Sequence, residues 1–374
     1  MAKKIVFITG TRADFGKIRS LLDRMTGLSQ FEVHIFVTGM HMLRVFGSTH
    51  LEVKKAGFKN IFRFVNQRIG DQQDQILAKT ISGFSDFIRE TPPDLIFVHG
   101  DRVEALAGAL VGATNNIRVA HVEGGEVSGT IDESIRHAIS KFAHLHFVSN
   151  ENAKQRLLSL GEDPKTIFVV GSPDHEVLSS SDLPELATVK NYYEIPFDQY
   201  SIGILHPVTT ELHQLGPQVT SFVNALIRSE REYVIIYPNN DPGFELILDA
   251  YGSLADYDRI RLLPSIRFEY FLTLLKHARF IVGNSSSGIR EAPVYSTPSI
   301  NIGSRQNSRS TFPGIINCNF SETEILSAIN KADSIAASPF VEFGGQPTSQ
   351  LVLDILRTPS VWQTSLQKSF CSKV

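Results

Sequence analysis

The chain has 374 residues, of which 42% are hydrophobic and 20% charged, with a formal net charge of -3. That length exceeds what one compact core usually holds, so two domains are expected. The charge balance excludes global attraction to nucleic acid or an anionic membrane, and two cysteines, Cys318 and Cys371, exclude the disulfide-rich secreted class.

The opening, MAKKIVFITGTR, lacks the long apolar stretch and cleavage site of a signal peptide. No apolar run reaches the length of a membrane span. A reducing cytoplasm is the expected location. KIVFITG, EVHIFVTG, NIFRFV, DLIFVHG, IRVAHVE, LHFVS and TIFVVG then follow in order as apolar runs rich in Val, Ile and Phe. Amphipathic stretches such as DQQDQILAKTISGFSDFIRE lie between several of them. Continuous apolar strands alternating with helices predict a parallel sheet covered on both faces.

The alternation pauses over residues 171–200, a stretch richer in Ser, Pro and Asp, whose first half is read as the linker. It resumes with SIGILHP, EYVIIYP, RIRLLP, ARFIVGN, SINIG and GIINC. The expected fold is therefore α/β, with two Rossmann-like, doubly wound parallel-sheet domains. The N-terminal domain is placed at 1–175 and the C-terminal domain at 185–357. In such folds ligands bind beyond the carboxyl ends of the strands.

The motifs fall at those ends. GTRADFGK follows the first strand, but its glycine spacing does not match a dinucleotide fingerprint, so an NAD site is disfavoured. Arg12 and Lys17 stand there as solvated basic groups of a turn or, given the location, Arg12 as a phosphate or uracil-side contact. GNSSSGIREAP predicts a small-residue turn opening a helix at about Ser287, suited to a diphosphate. Ser285 and Ser286 add hydroxyl donors, and Glu291, about one turn into the helix, is placed to reach ribose hydroxyls. A Ser-capped helix alone is the plainer alternative. Arg305, after SINIG, is a second phosphate candidate. His206 ends the strand SIGIL and is either structural or a phosphate contact. The turn YPNNDPG is read as a loop.

Carboxylates cluster after two consecutive strands. Asp101 and Glu123 end them, and Asp132 and Glu133 open the next helix. Glu133 is left to the helix dipole and local ion pairing. Asp101, Glu123 and Asp132 are assigned to chemistry, since like charges sharing a partly dry site push their pKa values apart and furnish an acid and a base. No HxxxH or CxxC supports a metal, and Arg102 beside Asp101 disfavours one. A basic Ser/Gly-rich cradle facing acids suits a nucleotide sugar.

GTRADFGK, VTGMHM, HGDRVEALAGA, HVEGGEVSGTIDESIRH, LHPVTTE, GNSSSGIREAP and GSRQ together resemble the UDP-N-acetylglucosamine 2-epimerases along nearly the whole chain. The resemblance is to the hydrolysing branch, which supplies N-acetylmannosamine for sialic acid in bacteria. Non-hydrolysing relatives typically carry Thr after HGD, a HVEAGLRT segment and SGGxQEEAP. Here Arg102, HVEGGEVSG and SSSGIREAP stand instead.

The resemblance implies a glycosyltransferase-B-like pair of domains, with a C-terminal crossover helix at 358–374 returning to the first. It implies Asp101, Glu123, Asp132 and His206 as catalytic residues. It implies Arg12, Lys17, Arg102, Ser285, Ser286, Gly288, Glu291 and Arg305 around UDP. Many relatives carry Glu-Glu where this chain has Asp132-Glu133. It further implies UDP-N-acetylglucosamine as substrate, UDP as product, no cofactor or metal, and a homodimer extendable to a tetramer. The rival expectations are the same reaction on a UDP-2,4-diacetamido-2,4,6-trideoxyglucose, a glycosyltransferase of the same fold, and a nucleotide-sugar-binding regulator.

Overall fold

The computed structural model describes residues 2–128, 130–178, 183–306, 312–335 and 346–372. The chain divides into two compact units. One gathers Met1–Val127, Ile131–Ser179 and Gly344–Val374; the other gathers Ser128–Thr130 and Ser180–Phe343.

The first unit is built on β1 (Lys3–Thr9), β2 (Phe31–Val37), β3 (Asn60–Arg63), β4 (Leu95–His99), β5 (Arg118–Val122), β6 (Leu145–Val148) and β7 (Ile167–Val169). They lie in the order β3-β2-β1-β4-β5-β6-β7. The second unit uses β8 (Ser201–Ile204), β9 (Tyr233–Ile236), β10 (Ile260–Leu263), β11 (Ile281–Gly283), β12 (Ser299–Ile302) and β13 (Ile315–Cys318). Their order is β10-β9-β8-β11-β12-β13. All the strand pairings are parallel. Every stretch read as a strand is one, and the two doubly wound α/β sheets are as expected.

Side chains alternate between the two faces along β1, and both faces are buried from Ile5 onwards. In β1, Ile5 and Phe7 join one core layer with Leu22, Phe97 and Phe147. Val6 and Ile8 join the opposite layer with Phe36, Phe84 and Val98. A strand buried on both faces leaves only its ends for polar chemistry. The order reverses between β1 and β4, and again between β8 and β11, so the connections leave in opposite directions there and open a crevice at the strand ends. At the second reversal Gly283 has φ +138°, and a Cβ on it would stand 1.9 Å from the Ile204 carbonyl oxygen. Only glycine lets β11 leave the sheet that close to β8.

The chain's end departs from expectation. The helix of the returning segment is Thr348–Leu356, not 358–374. It packs Val352, Leu353 and Leu356 into the first unit's core. Pro359 lacks an N–H and holds Thr358 at ψ 122°, so only a 3-10 turn, Pro359–Gln363, follows. Trp362 donates its indole N–H to the Leu356 carbonyl at 2.7 Å.

Beyond it Lys368 caps the helix Ile131–Phe142. Its ammonium donates to the carbonyls of Ser140 at 3.1 Å, Lys141 at 2.9 Å and Ala143, and stands 2.6 Å from the buried Glu162 carboxylate. Glu162 also meets Lys141 at 2.6 Å and His146 at 3.1 Å. Burial alone would raise its pKa, but these three partners outweigh it and hold it at about 2. That contribution to stability is present above about pH 4.5 and is lost as pH falls towards 2. Lys368→Met should therefore cost about 2 kcal/mol in urea unfolding at pH 7. The loss should shrink below pH 4, and an unchanged midpoint at pH 7 would show that the tail carries no such load.

Candidate functional site

In the first unit the site begins at the end of β1. Thr11 caps the helix Arg12–Met25, its hydroxyl accepting the Asp14 N–H at 3.1 Å. The cap fixes Asp14, whose carboxylate accepts the Gly10 N–H at 3.1 Å and lies 3.0 Å from His99 Nδ1. His99 is the last residue of β4, and its Nε2 lies 3.4 Å from the Glu123 carboxylate. Glu123 follows β5 with φ +64°, a left-handed conformation that costs a non-glycine residue about 1 kcal/mol. Its N–H is anchored on the Phe147 carbonyl at 2.9 Å, and its carboxylate accepts the Ser172 hydroxyl at 2.5 Å. The side chain is buried, with residue exposure of 2%.

Asp101 lies two residues beyond β4. Its carboxylate pairs with the guanidinium of Arg136, which also donates to the Glu123 carbonyl at 3.2 Å. Arg136 is itself buried and sits on the helix Ile131–Phe142, one turn after Asp132. Asp101 and Glu123 are thus brought together, and the segment carrying Asp132 is tied to both. Asp132 is half-buried in that helix's first turn. Glu133 faces His137 at 3.8 Å, the local pairing expected of it.

The electrostatics correct one expectation. Repulsion between the acids does not set the state of Asp101. Burial would raise its pKa, but the Arg136 charge and hydrogen bond outweigh burial and hold it below the usual carboxylate range. Burial likewise acts to lower the pKa of His99, yet the Asp14 and Glu123 carboxylates override it and raise the value to about 9. Burial wins at His121 and His41, which fall to about 3 and about 4 and stay neutral.

The basic candidates of this unit are already paired within it. Arg12 meets Glu52, Lys17 lies 2.8 Å from the buried Asp174, and Arg102 lies 3.4 Å from the buried Glu104. A Cβ on Gly10 would press on that Glu104 carboxylate at 3.1 Å.

In the second unit, His206 stands two residues past β8 and is buried. Its N–H donates to Asn284 Oδ1 at 2.7 Å, and Asn284 Nδ2 donates back to its carbonyl at 2.8 Å. The Asn239 N–H donates to His206 Nδ1 at 3.1 Å, which leaves the proton of the neutral ring on Nε2. The turn read as a plain loop therefore sets this tautomer. Arg305 and Gln306 both donate to the Asn284 carbonyl, at 3.3 and 3.1 Å.

Ser285 accepts the Ser287 N–H at 3.3 Å. Ser286 precedes the helix Ser287–Arg290 as its cap residue, without a side-chain cap. That helix is a single turn, shorter than expected. Pro293 has no N–H, and a 3-10 turn, Ala292–Tyr295, takes over. Glu291 is buried just past the helix rather than within it. A Cβ on Gly288 would stand 2.4 Å from the Ser299 hydroxyl, so the turn packs tightly on β12.

The sequence assigns Asp14, His99, Ser172 and Asn284 no role, and it suggests for Arg136 only a helical pairing with Asp132 where the structure pairs it with Asp101. His99 and Asn284 carried a signal, because both adjoin residues already placed at strand ends. Ser172 lies 49 positions from Glu123 in sequence, and nothing local announces that contact.

Residues 23–357 match the protein family described as UDP-N-acetylglucosamine 2-epimerase. The chain belongs to that family. It is 45% identical over 374 residues, 98% of each chain, to a Neisseria meningitidis serogroup B protein named UDP-N-acetylglucosamine 2-epimerase. It is 33% identical, over 98% of its length and 99% of the relative's, to a Legionella pneumophila protein named UDP-N,N'-diacetylbacillosamine 2-epimerase (hydrolyzing). Its fold is similar, with a TM-score of 0.78 at 20% identity, to a Methanocaldococcus jannaschii UDP-GlcNAc 2-epimerase solved with UDP-GlcNAc and UDP. That likeness covers 94% of this chain and 99% of the other.

The raised pKa of His99 has a sign that can be tested. Stability from its protonated form is complete below its ordinary value of 6.5 and is lost as pH rises through about 9. The stability difference between the native protein and His99→Gln should be largest near pH 6 and fade towards pH 9 in chemical denaturation. A difference independent of pH would mean that the ring is neutral.

Proposed function

We propose that the protein is a hydrolysing 2-epimerase that converts UDP-N-acetylglucosamine and water to N-acetylmannosamine and UDP. The observation that carries this reading is the tethering of Asp101 and Glu123 through Arg136 at the ends of adjacent strands, in a chain of this family. Hydrolysis, rather than epimerisation of the intact nucleotide sugar, is supported by the Legionella relative and by a Campylobacter jejuni one, 31% identical over 86% of this chain. Both are named hydrolyzing. A sialic acid destination is supported by a 31% identical Escherichia coli relative, covering 88% of this chain, named Polysialic acid biosynthesis protein P7.

C2–H of the ground-state sugar is too weakly acidic for a carboxylate. Breaking the anomeric C1–O bond first makes C1 oxocarbenium-like and C2–H far more acidic. The His206 Nε2–H, Arg305 and the Ser285–Ser286 turn of the second unit receive the charge developing on UDP, with Arg12, Lys17 and Arg102 as further basic contacts, Gly288 giving close backbone approach and Glu291 meeting the ribose. The ionised acids of the first unit stabilise the cation, and one takes the C2 proton. The products of this half-reaction are UDP and 2-acetamidoglucal. A protonated acid then delivers a proton to the opposite face of C2 while water adds at C1. Every step is a proton transfer or a C–O bond change, so no redox cofactor enters the balance.

The second reading keeps the chemistry and changes the sugar to diacetylbacillosamine, which the Legionella relative's name favours. The higher identity to the Neisseria protein, 45% against 33%, weighs for N-acetylglucosamine.

Proton NMR in D2O with UDP-N-acetylglucosamine tests the proposal. Release of UDP with N-acetylmannosamine deuterated at C2 is expected. Accumulation of UDP-N-acetylmannosamine would replace hydrolysis by simple epimerisation, and inertness with turnover of the diacetamido sugar would select the second reading. Glu123→Gln and Asp132→Asn should each lower kcat at least about a hundredfold. Arg305→Ala should weaken UDP binding, by calorimetry, more than either acid substitution does.

A further inference from the structure

We propose that His99 is a positioning residue for the reaction above: as an imidazolium anchored on Asp14, it keeps the Glu123 carboxylate ionised and aimed. The inference rests on the proposed function for its kinetic consequences but on geometry for its substance. The ring lies between two carboxylates, 3.0 Å from Asp14 and 3.4 Å from Glu123, with its side chain 8% exposed. A neutral imidazole carries one N–H and can serve only one of them, leaving a lone pair facing the other anion. The imidazolium hydrogen-bonds Asp14 and turns a second N–H, not a lone pair, towards Glu123 at 3.4 Å, and it supplies positive charge between a half-buried carboxylate and a buried one.

Each neighbour supports that state. Asp14 is fixed by the Gly10 N–H at 3.1 Å and lies in the first turn of the helix Arg12–Met25, where the dipole favours an anion. His121 is neutral through burial and brings no competing charge. Arg136 is already occupied with Asp101 and the Glu123 carbonyl. Glu123 then has the Ser172 hydroxyl on one carboxylate oxygen at 2.5 Å and His99 facing the other. Held this way, Glu123 enters the reaction as an anion, able to stabilise the cation or accept the C2 proton but not to deliver one. Asp101, charge-paired with Arg136, is in the same position. His99 acts only through Glu123 and is not itself the base.

Two measurements on the full chain test this. In 15N-histidine NMR, with His99 assigned by difference against His99→Gln, both ring nitrogens should be protonated at pH 7.5. In Glu123→Gln the His99 ring should titrate at lower pH. A neutral His99 in the native protein would overturn the proposal, whether or not any sugar nucleotide is turned over. In kinetics, His99→Gln should move the acid limb of kcat/KM up by about one pH unit and lower kcat at least about tenfold, with UDP affinity within threefold of native. An unmoved acid limb would overturn the assignment. Should His99→Gln not fold, Asp14→Asn should move the limb in the same direction by a smaller amount, and an unmoved limb there would count equally against it. Absence of turnover by the native enzyme would remove the proposed reaction and leave the NMR result to decide the state of His99.

Discussion

The buried guanidinium of Arg136 is the contact on which the first unit's site depends. It joins three segments that the sheet alone does not bring into register: the loop after β4 through Asp101, the turn after β5 through the Glu123 carbonyl, and the helix Ile131–Phe142 on which it rides with Asp132. A buried guanidinium is costly unless its hydrogen bonds are satisfied, and the half-buried Asp101 carboxylate beside it also loses part of its hydration. Each cancels the other's desolvation only in one geometry. The pair therefore adds little net stability while penalising every arrangement in which the two strand ends drift apart. The C-terminal tail works on the same helix from its other end, where Lys368 satisfies its last carbonyls.

Charge pairing also changes how the acid cluster is understood. Three clustered carboxylates in isolation would repel, and repulsion would make one of them a proton donor. Here two of them are met by cations of the protein itself, Arg136 at Asp101 and His99 at Glu123, and the raised pKa of His99 and lowered pKa of Asp101 are two sides of that pairing. In the proposed reaction this is a preorganised anionic arrangement whose charges would not have to be assembled as positive charge develops on an oxocarbenium-like sugar. The left-handed backbone of Glu123 belongs to the same arrangement: local strain is tolerated where hydrogen bonds over-determine the conformation.

The fold was legible because central parallel strands buried on both faces write themselves as unbroken apolar runs, and the thirteen strands of the described residues, half-exposed edge strands such as β3 included, fall on the apolar runs read from the sequence. The placing of Asp101, Glu123, His206 and Arg305 just past strand ends was legible, because strand ends are the polar exits from such a sheet. What was not legible was who partners whom. Arg136 lies at the spacing for a helical pair with Asp132, and the spacing is silent about Asp101, 35 positions away. His99 looked like the last residue of a strand rather than a charge. Proline governed the two misplaced helices. Pro359 moves the C-terminal helix upstream, and Pro293 cuts the turn at Ser287–Arg290 to four residues.

That short helix bears on how a diphosphate would be held. One turn has little dipole of its own, so the anion-binding capacity of the second unit cannot rest on it. The structure places its rigidity elsewhere. Asn284 clasps the backbone of His206 in both directions, and its carbonyl takes Arg305 and Gln306 together. The ends of β8, β11 and β12 are thereby locked through one asparagine. The Asn239 N–H meanwhile fixes the His206 tautomer, so the neutral ring carries its proton on Nε2. In the proposed reaction, donors held on locked strand ends would stabilise a departing phosphate without reorganising, which is worth more to a C–O cleavage than the field of a longer helix.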